Sequence, residues 1–257
     1  MVITMLTDAQ ASKKKLPPPQ LCLVGPPKIG KSVFASKFPK PVAICTEAGM
    51  VGIPIPTIPG PDPETGMERV TETWVDFLAC LKWVQTEDHG RKTLIIDTID
   101  VAQRLCEQHI ITTVFHGNAD SYGSYNRGLI PMRSEFKRVI NKLEAIRNNG
   151  MNIVLIAHSG LQKGEDTLGQ DYKKQAGDLD PQCWAAVRNH CDQIGYAMVK
   201  TQVSEKKIMK MGGERFLVFD DHPGREAGCR EGYGMPPVIP LNFEEYKKHM
   251  KGKLING

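Results

Sequence analysis

Apolar residues fall along this chain in two rhythms. Short unbroken runs, Leu21-Cys22-Leu23-Val24, Pro41-Val42-Ala43-Ile44-Cys45, Leu94-Ile95-Ile96 and Ile153-Val154-Leu155-Ile156-Ala157, read as strands buried on both faces. Between them the spacing turns helical. Trp74, Phe77, Leu78, Leu81 and Val84 share one face of a helix expected over 73–85, with Thr73 and Asp76 resembling a capping box. Val101, Leu105, Ile110 and Val114 mark a second helix over 100–115. Phe136, Val139, Ile140, Leu143 and Ile146 mark a third, opened by Pro131 and stopped at Asn149-Gly150. Short helices are expected over 33–38, ended by Pro39, and over 184–190. Three β-like runs follow at 194–203, 207–211 and 215–219, and Gly212-Gly213 signals a hairpin between the last two. After a loop over 223–240, Asn242 and Glu245 cap a final helix through Met250. Strands alternating with helices predict an α/β fold: a mostly parallel sheet flanked by helices, extended by antiparallel C-terminal strands.

The intervals complete the outline. Residues 1–18, with Lys13-Lys14-Lys15 and the start of a proline run, read as a flexible N-terminal arm, and 19–257 as one domain. Residues 52–66 hold five prolines and three glycines, hence an irregular loop. Residues 116–130 are rich in Gly, Ser and Asn with two tyrosines and an arginine, and the polar stretch 160–182 is long enough to be expected as a functional or mobile loop. The third helix carries Arg133, Lys137, Arg138, Lys142 and Arg147 on its other face, either solvated or open to a partner.

Composition changes this picture little. At 257 residues, 40% apolar and 24% charged, the chain suits a soluble globular protein with a full core, as one large α/β domain or two small ones. Seven cysteines without a CxxC pair point to reduced thiols and a cytoplasmic setting rather than a disulfide framework. Cys183, His190 and Cys191 lack the paired short spacing of zinc sites and read as core or helix-surface residues. No apolar run approaches the roughly 20 residues of a membrane span, and the segment from Val2 to Leu6 is too short for a secretory leader. A net charge of +4 permits nucleic-acid binding without arguing for it.

The chemistry concentrates after the first strand. Gly25-Pro26-Pro27-Lys28-Ile29-Gly30-Lys31-Ser32, followed by Val33, fits G-x-x-x-x-G-K-[ST] between a strand and a helix. Such a loop wraps backbone N–H groups around phosphates. Lys31 would reach the β- and γ-phosphates of ATP, and the Ser32 hydroxyl would join a Mg²⁺ shell. Asp97, at the end of an apolar strand 66 residues after Lys31, suits a carboxylate beside that metal.

With these residues in place, the chain resembles RecA-like ATPase cores over about residues 18–245. More narrowly it resembles phage-borne AAA-family ATPases that include RecA-type single-strand-annealing recombinases. The landmarks are the phosphate loop, Thr46-Glu47-Ala48-Gly49, Leu94-Ile95-Ile96-Asp97-Thr98, Leu155-Ile156-Ala157-His158-Ser159 and Arg230-Glu231-Gly232-Tyr233-Gly234-Met235-Pro236. The resemblance implies Glu47 as the base that deprotonates water, the alternative being a surface turn residue. It implies His158 as a polar sensor donating to the γ-phosphate, the alternative being a satisfied strand-end histidine. It places the 116–130 and 159–182 segments against single-stranded DNA, where Tyr122 and Tyr125 would stack on bases and Arg127 would meet phosphate. Lys163, Lys173 and Lys174 would add contacts, though the second segment sets three lysines against five carboxylates. It further implies a homo-oligomer, ring or filament, completed by a basic residue from a neighbour, with Arg215, Arg225 and Arg230 as candidates. A single-strand-binding protein is the expected further partner. The function so implied is Mg²⁺-dependent ATP hydrolysis coupled to DNA annealing or strand pairing in phage recombination, in the host cytoplasm. Alternatives are a nucleotide-gated DNA-binding module that scarcely hydrolyses, and a small-molecule or nucleotide kinase.

Overall fold

A computed structural model of the chain describes residues 16–165, 171–200, 202–203, 209–210, 213–250 and 253–255. The first half runs β1 (Gln20–Gly25), α1 (Lys31–Ala35), β2 (Pro41–Cys45), β3 (Thr57–Ile58), α2 (Trp74–Thr86), β4 (Thr93–Asp97) and α3 (Ile99–Val114). The short α4 (Ala119–Gly123) and the long α5 (Leu129–Asn148) follow. Next come β5 (Asn152–Glu165), β6 (Asp171–Gly177), α6 (Pro181–His190), β7 (Gln193–Val199), β8 (Gln202–Val203) and β9 (Met209–Lys210). The chain closes with β10 (Arg215–Val218), β11 (Gly228–Cys229), β12 (Val238–Pro240) and α7 (Phe243–His249).

The main sheet has the order β12-β10-β7-β1-β5-β4-β2-β3. From β7 to β3 every neighbouring pair is parallel, while β10 and β12 add antiparallel strands at the C-terminal side. The expected fold class is therefore observed. Its apolar runs work because both faces are covered. Cys22, Val24, Leu94, Ile96, Ile153 and Leu155 face a core shared with α2, α3, α5 and α6. Leu21, Leu23, Ile95, Val154 and Ile156 face the opposite core with α1 and α7. There Phe34, Phe38, Phe243 and Tyr246 pack edge-on and tilted, with centroids 4.9–6.2 Å apart.

Parallel register decides where the chemistry lands. Gly25 lies opposite His158, and Cys45 opposite Asp97, which pairs in turn with Ile156. The ends of β1, β2, β4 and β5 thus meet at one edge of the sheet, where ligands of open α/β sheets bind.

Some expectations change. The 160–182 loop is instead a β-hairpin: β5 continues beyond His158 and pairs with β6 from Ser159↔Gly177 to Glu165↔Asp171. Leu161, Lys163, Tyr172 and Lys173 on it are exposed, so these positions impress no apolar alternation on the sequence. Asp166 lies outside the described residues, as does Gly212, and of the 207–211 run only Met209 and Lys210 are described. The 223–240 loop contains β11, β12 and a turn of 3₁₀ helix over Glu231–Tyr233. Arg147 is not on a solvated face but 4% exposed. Its guanidinium pairs with Asp192 and donates to the Pro18 carbonyl at 2.7 Å and to the Tyr233 hydroxyl at 2.9 Å. The Tyr233 hydroxyl in turn donates to the Pro17 carbonyl at 3.0 Å, so the end of the expected arm is bonded to the body. Residues 1–15 of that arm lie outside the described residues.

Asp192 is the hub of this knot, since it also accepts the Gln20 backbone N–H at 3.1 Å and Arg230 at 3.0 Å. Removing it strands a buried guanidinium. Asp192→Ala is expected to cost about 3–5 kcal/mol in a urea titration, against under about 1 kcal/mol for Arg138→Ala at the exposed Arg138–Glu135 pair. Equal losses for the two would contradict the assignment.

Candidate functional site

The phosphate loop is shaped by backbone constraints that its sequence meets. At Gly25 a Cβ would stand 2.7 Å from the Ala197 carbonyl oxygen, so only glycine lets β1 leave the sheet there. Lys28 at φ 62° and Gly30 at φ 110° are left-handed, which curls the chain into the α1 N-terminus. The first helical bond runs from the Phe34 N–H to the Gly30 carbonyl at 2.9 Å, leaving the preceding N–H groups without intrahelical acceptors. The Lys31 ammonium donates to the carbonyls of Gly25 at 2.7 Å and Pro26 at 2.9 Å, across the loop mouth. Burial lowers its pKa, opposed by the charges of Asp97, Asp100 and Glu47.

Asp97 ends β4 against this loop. The Ser32 hydroxyl donates to Asp97 Oδ2 at 2.9 Å, and a Cβ on Gly49 would come within 2.5 Å of the same oxygen. The Thr46 hydroxyl accepts the Thr98 N–H at 2.8 Å and donates to the Thr98 carbonyl at 2.9 Å, locking β2 to β4 beside the site. Burial pushes the Asp97 carboxyl up to about 6; the Ser32 bond opposes this and the Glu47 charge adds to it. A hydroxyl and a carboxylate in contact are hard oxygen donors that fit Mg²⁺, which takes one or two such protein ligands plus water and phosphate oxygens. Ser32 and Asp97 would hold the ion, and it would neutralise charge on the phosphates.

Glu47 and His158 share the cleft: His158 Nε2 is 3.6 Å from Glu47 Oε1. Behind His158 stands Asp100, buried at 1% exposure, which the apolar pattern marks only as a helix start. Its Oδ1 accepts the His158 backbone N–H at 3.0 Å and its Oδ2 faces His158 Nδ1 at 3.0 Å, while Arg104 donates to Oδ2 at 2.8 Å. The signal available was a second carboxylate three residues beyond Asp97, in the first turn of α3.

The cleft holds about 580 Å³ and is lined by Pro27, Lys28, Gly30, Lys31, Ser32, Val33, Glu47, Asp97 and His158 among others. Of the remaining loop residues, Gly25 and Pro26 hold Lys31, and Ile29 is 4% exposed in the core beneath. A second cleft of about 380 Å³ flanks the loop, sharing Gly30 and Val33 and adding Arg215, Leu241 and Phe243.

The outer residues divide. Tyr125 is 93% exposed at φ 51°, and Arg127 is exposed beside it. Tyr122 corrects the expectation of a stacking platform: it is 7% exposed, edge-on to Phe115 at 5.7 Å and in close contact with the Gly128 backbone. Lys163 and Lys173 are exposed cross-strand neighbours, whereas Lys174 is paired with Asp221 at 3.2 Å. Of the candidate trans-acting arginines, Arg230 is engaged in its own chain by Asp192 and the Asn189 carbonyl. Arg225 forms β-bridges with Gln175 and His222, and Arg215 lies beside Gly30 of its own loop, with Nη1 3.3 Å from where a Cβ there would be.

Comparison with known proteins adds a family. The profile described as "AAA domain" matches residues 18–230. A search of curated proteins finds no match. Among solved structures, the flagellar accessory protein FlaH from Methanocaldococcus jannaschii is similar at 9% identity and a TM-score of 0.41, over 87% of this chain and 85% of that one.

Asp97 gives a pH-dependent test. Its native carboxyl holds its proton to about pH 6, whereas an unfolded aspartate loses it near pH 4. Stability therefore falls as pH rises through that window and stays lower above it. Without divalent cation, Asp97→Asn is expected to be more stable than wild type at pH 8, by up to about 3 kcal/mol. The gap should close below about pH 4. Denaturant melts at both pH values measure it; a less stable variant at pH 8 would contradict the burial argument.

Proposed function

This chain belongs to the AAA domain family of P-loop nucleotide-binding proteins, and from that premise we propose that it is a Mg²⁺-dependent, RecA-like ATPase that acts on single-stranded DNA. The observation that carries the reading is the convergence of Lys31, Ser32, Glu47, Asp97 and His158 on one cleft at the ends of parallel strands. In-line attack on a γ-phosphoryl group needs positioning, charge neutralisation and a base near the water. Lys31 supplies charge at the phosphates, the loop N–H groups orient them, and Glu47 takes the proton of the attacking water. The second cleft shares Gly30 and Val33 with the loop and offers apolar Leu241 and Phe243, which suits it to take the nucleoside.

For the DNA, support comes from where the two long segments meet. Arg133, just after the 116–130 segment, binds Asp180 at the hairpin base through two bonds of 2.8 and 2.6 Å. Exposed Tyr125 and Arg127 on one segment and Lys163 and Lys173 on the other suit a base-stacking, phosphate-contacting surface. Annealing or strand pairing in phage recombination is the finer role we propose, by a cytoplasmic ring or filament working with a single-strand-binding protein. Among the described residues no helix is long and apolar enough to cross a membrane. A kinase would need an arginine-rich lid closing on the phosphates, and Arg230, in the Arg225–Arg230 segment that could form one, is bonded to Asp192 of its own chain, which favours the ATPase reading.

Calorimetry with Mg·ATP is expected to show binding to wild type and to Glu47→Gln, and none to folded Lys31→Ala. Turnover by Glu47→Gln should fall on the order of 10²-fold or more. Unchanged turnover in Lys31→Ala would end the nucleotide reading. For DNA, Tyr125→Ala is expected to weaken oligothymidine binding by roughly 1–3 kcal/mol, and Arg127→Ala to flatten its salt dependence. Normal fluorescence anisotropy titrations for both variants would remove the DNA role while leaving the nucleotide site standing.

A further inference from the structure

We propose that Asp100 is a positioning residue that fixes His158 as its Nδ1–H tautomer, so that Nε2 meets the attacking water as an acceptor beside Glu47. The inference rests on reading the cleft as an ATPase site, and it changes the role of His158 within it. The Asp100 side chain is 0% exposed, so its acceptor oxygens meet only protein groups. It already accepts the fixed backbone N–H of His158 at 3.0 Å through Oδ1 and the Arg104 guanidinium at 2.8 Å through Oδ2. Facing such an acceptor at 3.0 Å, His158 Nδ1 must be the donor.

A neutral imidazole has one N–H. With that hydrogen committed to Asp100, Nε2 carries a lone pair and has none to give a phosphate, contrary to the sensor role that the resemblance implied. Nε2 points instead to Glu47, and their 3.6 Å separation is too long for a direct hydrogen bond. Two acceptors so placed orient a single water with one hydrogen toward each. As the water oxygen bonds to the γ-phosphorus and the bond to the ADP oxygen breaks, Glu47 takes one proton. Nε2 holds the second hydrogen in place, and it stays with the phosphate product.

The test reads the ring directly. Long-range ¹⁵N–¹H correlation spectra at pH 8.5, with His158→Gln to assign the signal, are expected to show His158 as Nδ1–H. In Asp100→Asn the amide carbonyl takes the backbone N–H of the strand. Its NH₂ group then faces Nδ1, and Arg104, 56% exposed, swings away. The tautomer should switch to Nε2–H, kcat should fall on the order of 10²-fold, and KM for ATP should hold. Arg104→Ala should keep the wild-type tautomer. An Nε2–H signal in wild type overturns the proposal with no variant needed, as does a switched tautomer with kcat intact. Should wild type bind ATP but never hydrolyse it, the water-orienting role falls with the catalytic reading, while the spectra still decide what Asp100 does to the ring.

Discussion

The hydrogen bond from the Ser32 hydroxyl to Asp97 Oδ2, 2.9 Å long, joins the phosphate loop after β1 to the end of β4 across the intervening β5. It is a costly place for a carboxylate. Asp97 is 1% exposed, crowded by Gly49, and its ionised form is disfavoured by burial and by Glu47. A protein selected for stability alone would not keep it there. The sheet keeps it because the parallel register brings the ends of β1, β2, β4 and β5 to one edge, where their polar residues form a cleft. Instability stored at a site that a bound cation relieves is a common mark of function.

The same edge connects chemistry to surface. Asp100 opens α3, which leads into the segment carrying Tyr125 and Arg127, and His158 opens the hairpin carrying Lys163 and Lys173. Their mutual hydrogen bonds close the cleft side of a loop of contacts that Arg133–Asp180 closes farther out. Both surface segments are thus anchored on a bonded pair, of which His158 stands 3.6 Å from Glu47. That is an economical route from nucleotide to surface.

How much of this the sequence disclosed follows from how local each feature is. The phosphate loop is written in eight consecutive residues because its curl depends on the missing Cβ at Gly25 and the left-handed backbone at Gly30. The buried strands were legible because both faces meet a core, and Asp97 because it breaks such a run. Asp100 escaped notice since its burial comes from β5, 58 residues away, and nothing in the α3 periodicity reveals it. The hairpin was invisible because its exposed positions, Leu161, Lys163, Tyr172 and Lys173, carry no apolar alternation. Tyr122 and Tyr125 look alike in sequence. Packing of Tyr122 on Phe115 and Gly128, and the left-handed turn at Tyr125, separate one as core and the other as surface. Arg147 looked solvated because its partners, Asp192 and Tyr233, come from the far end of the chain.

The most direct test of the account is the steady-state ATP turnover of the full chain, titrated with single-stranded oligonucleotide at low and moderate salt, with sizing in parallel. A coupled ATPase predicts slow basal turnover that rises saturably with DNA, loses stimulation as salt increases, and accompanies assembly beyond the monomer. Turnover indifferent to DNA at every salt concentration, from a protein that stays monomeric, would contradict it.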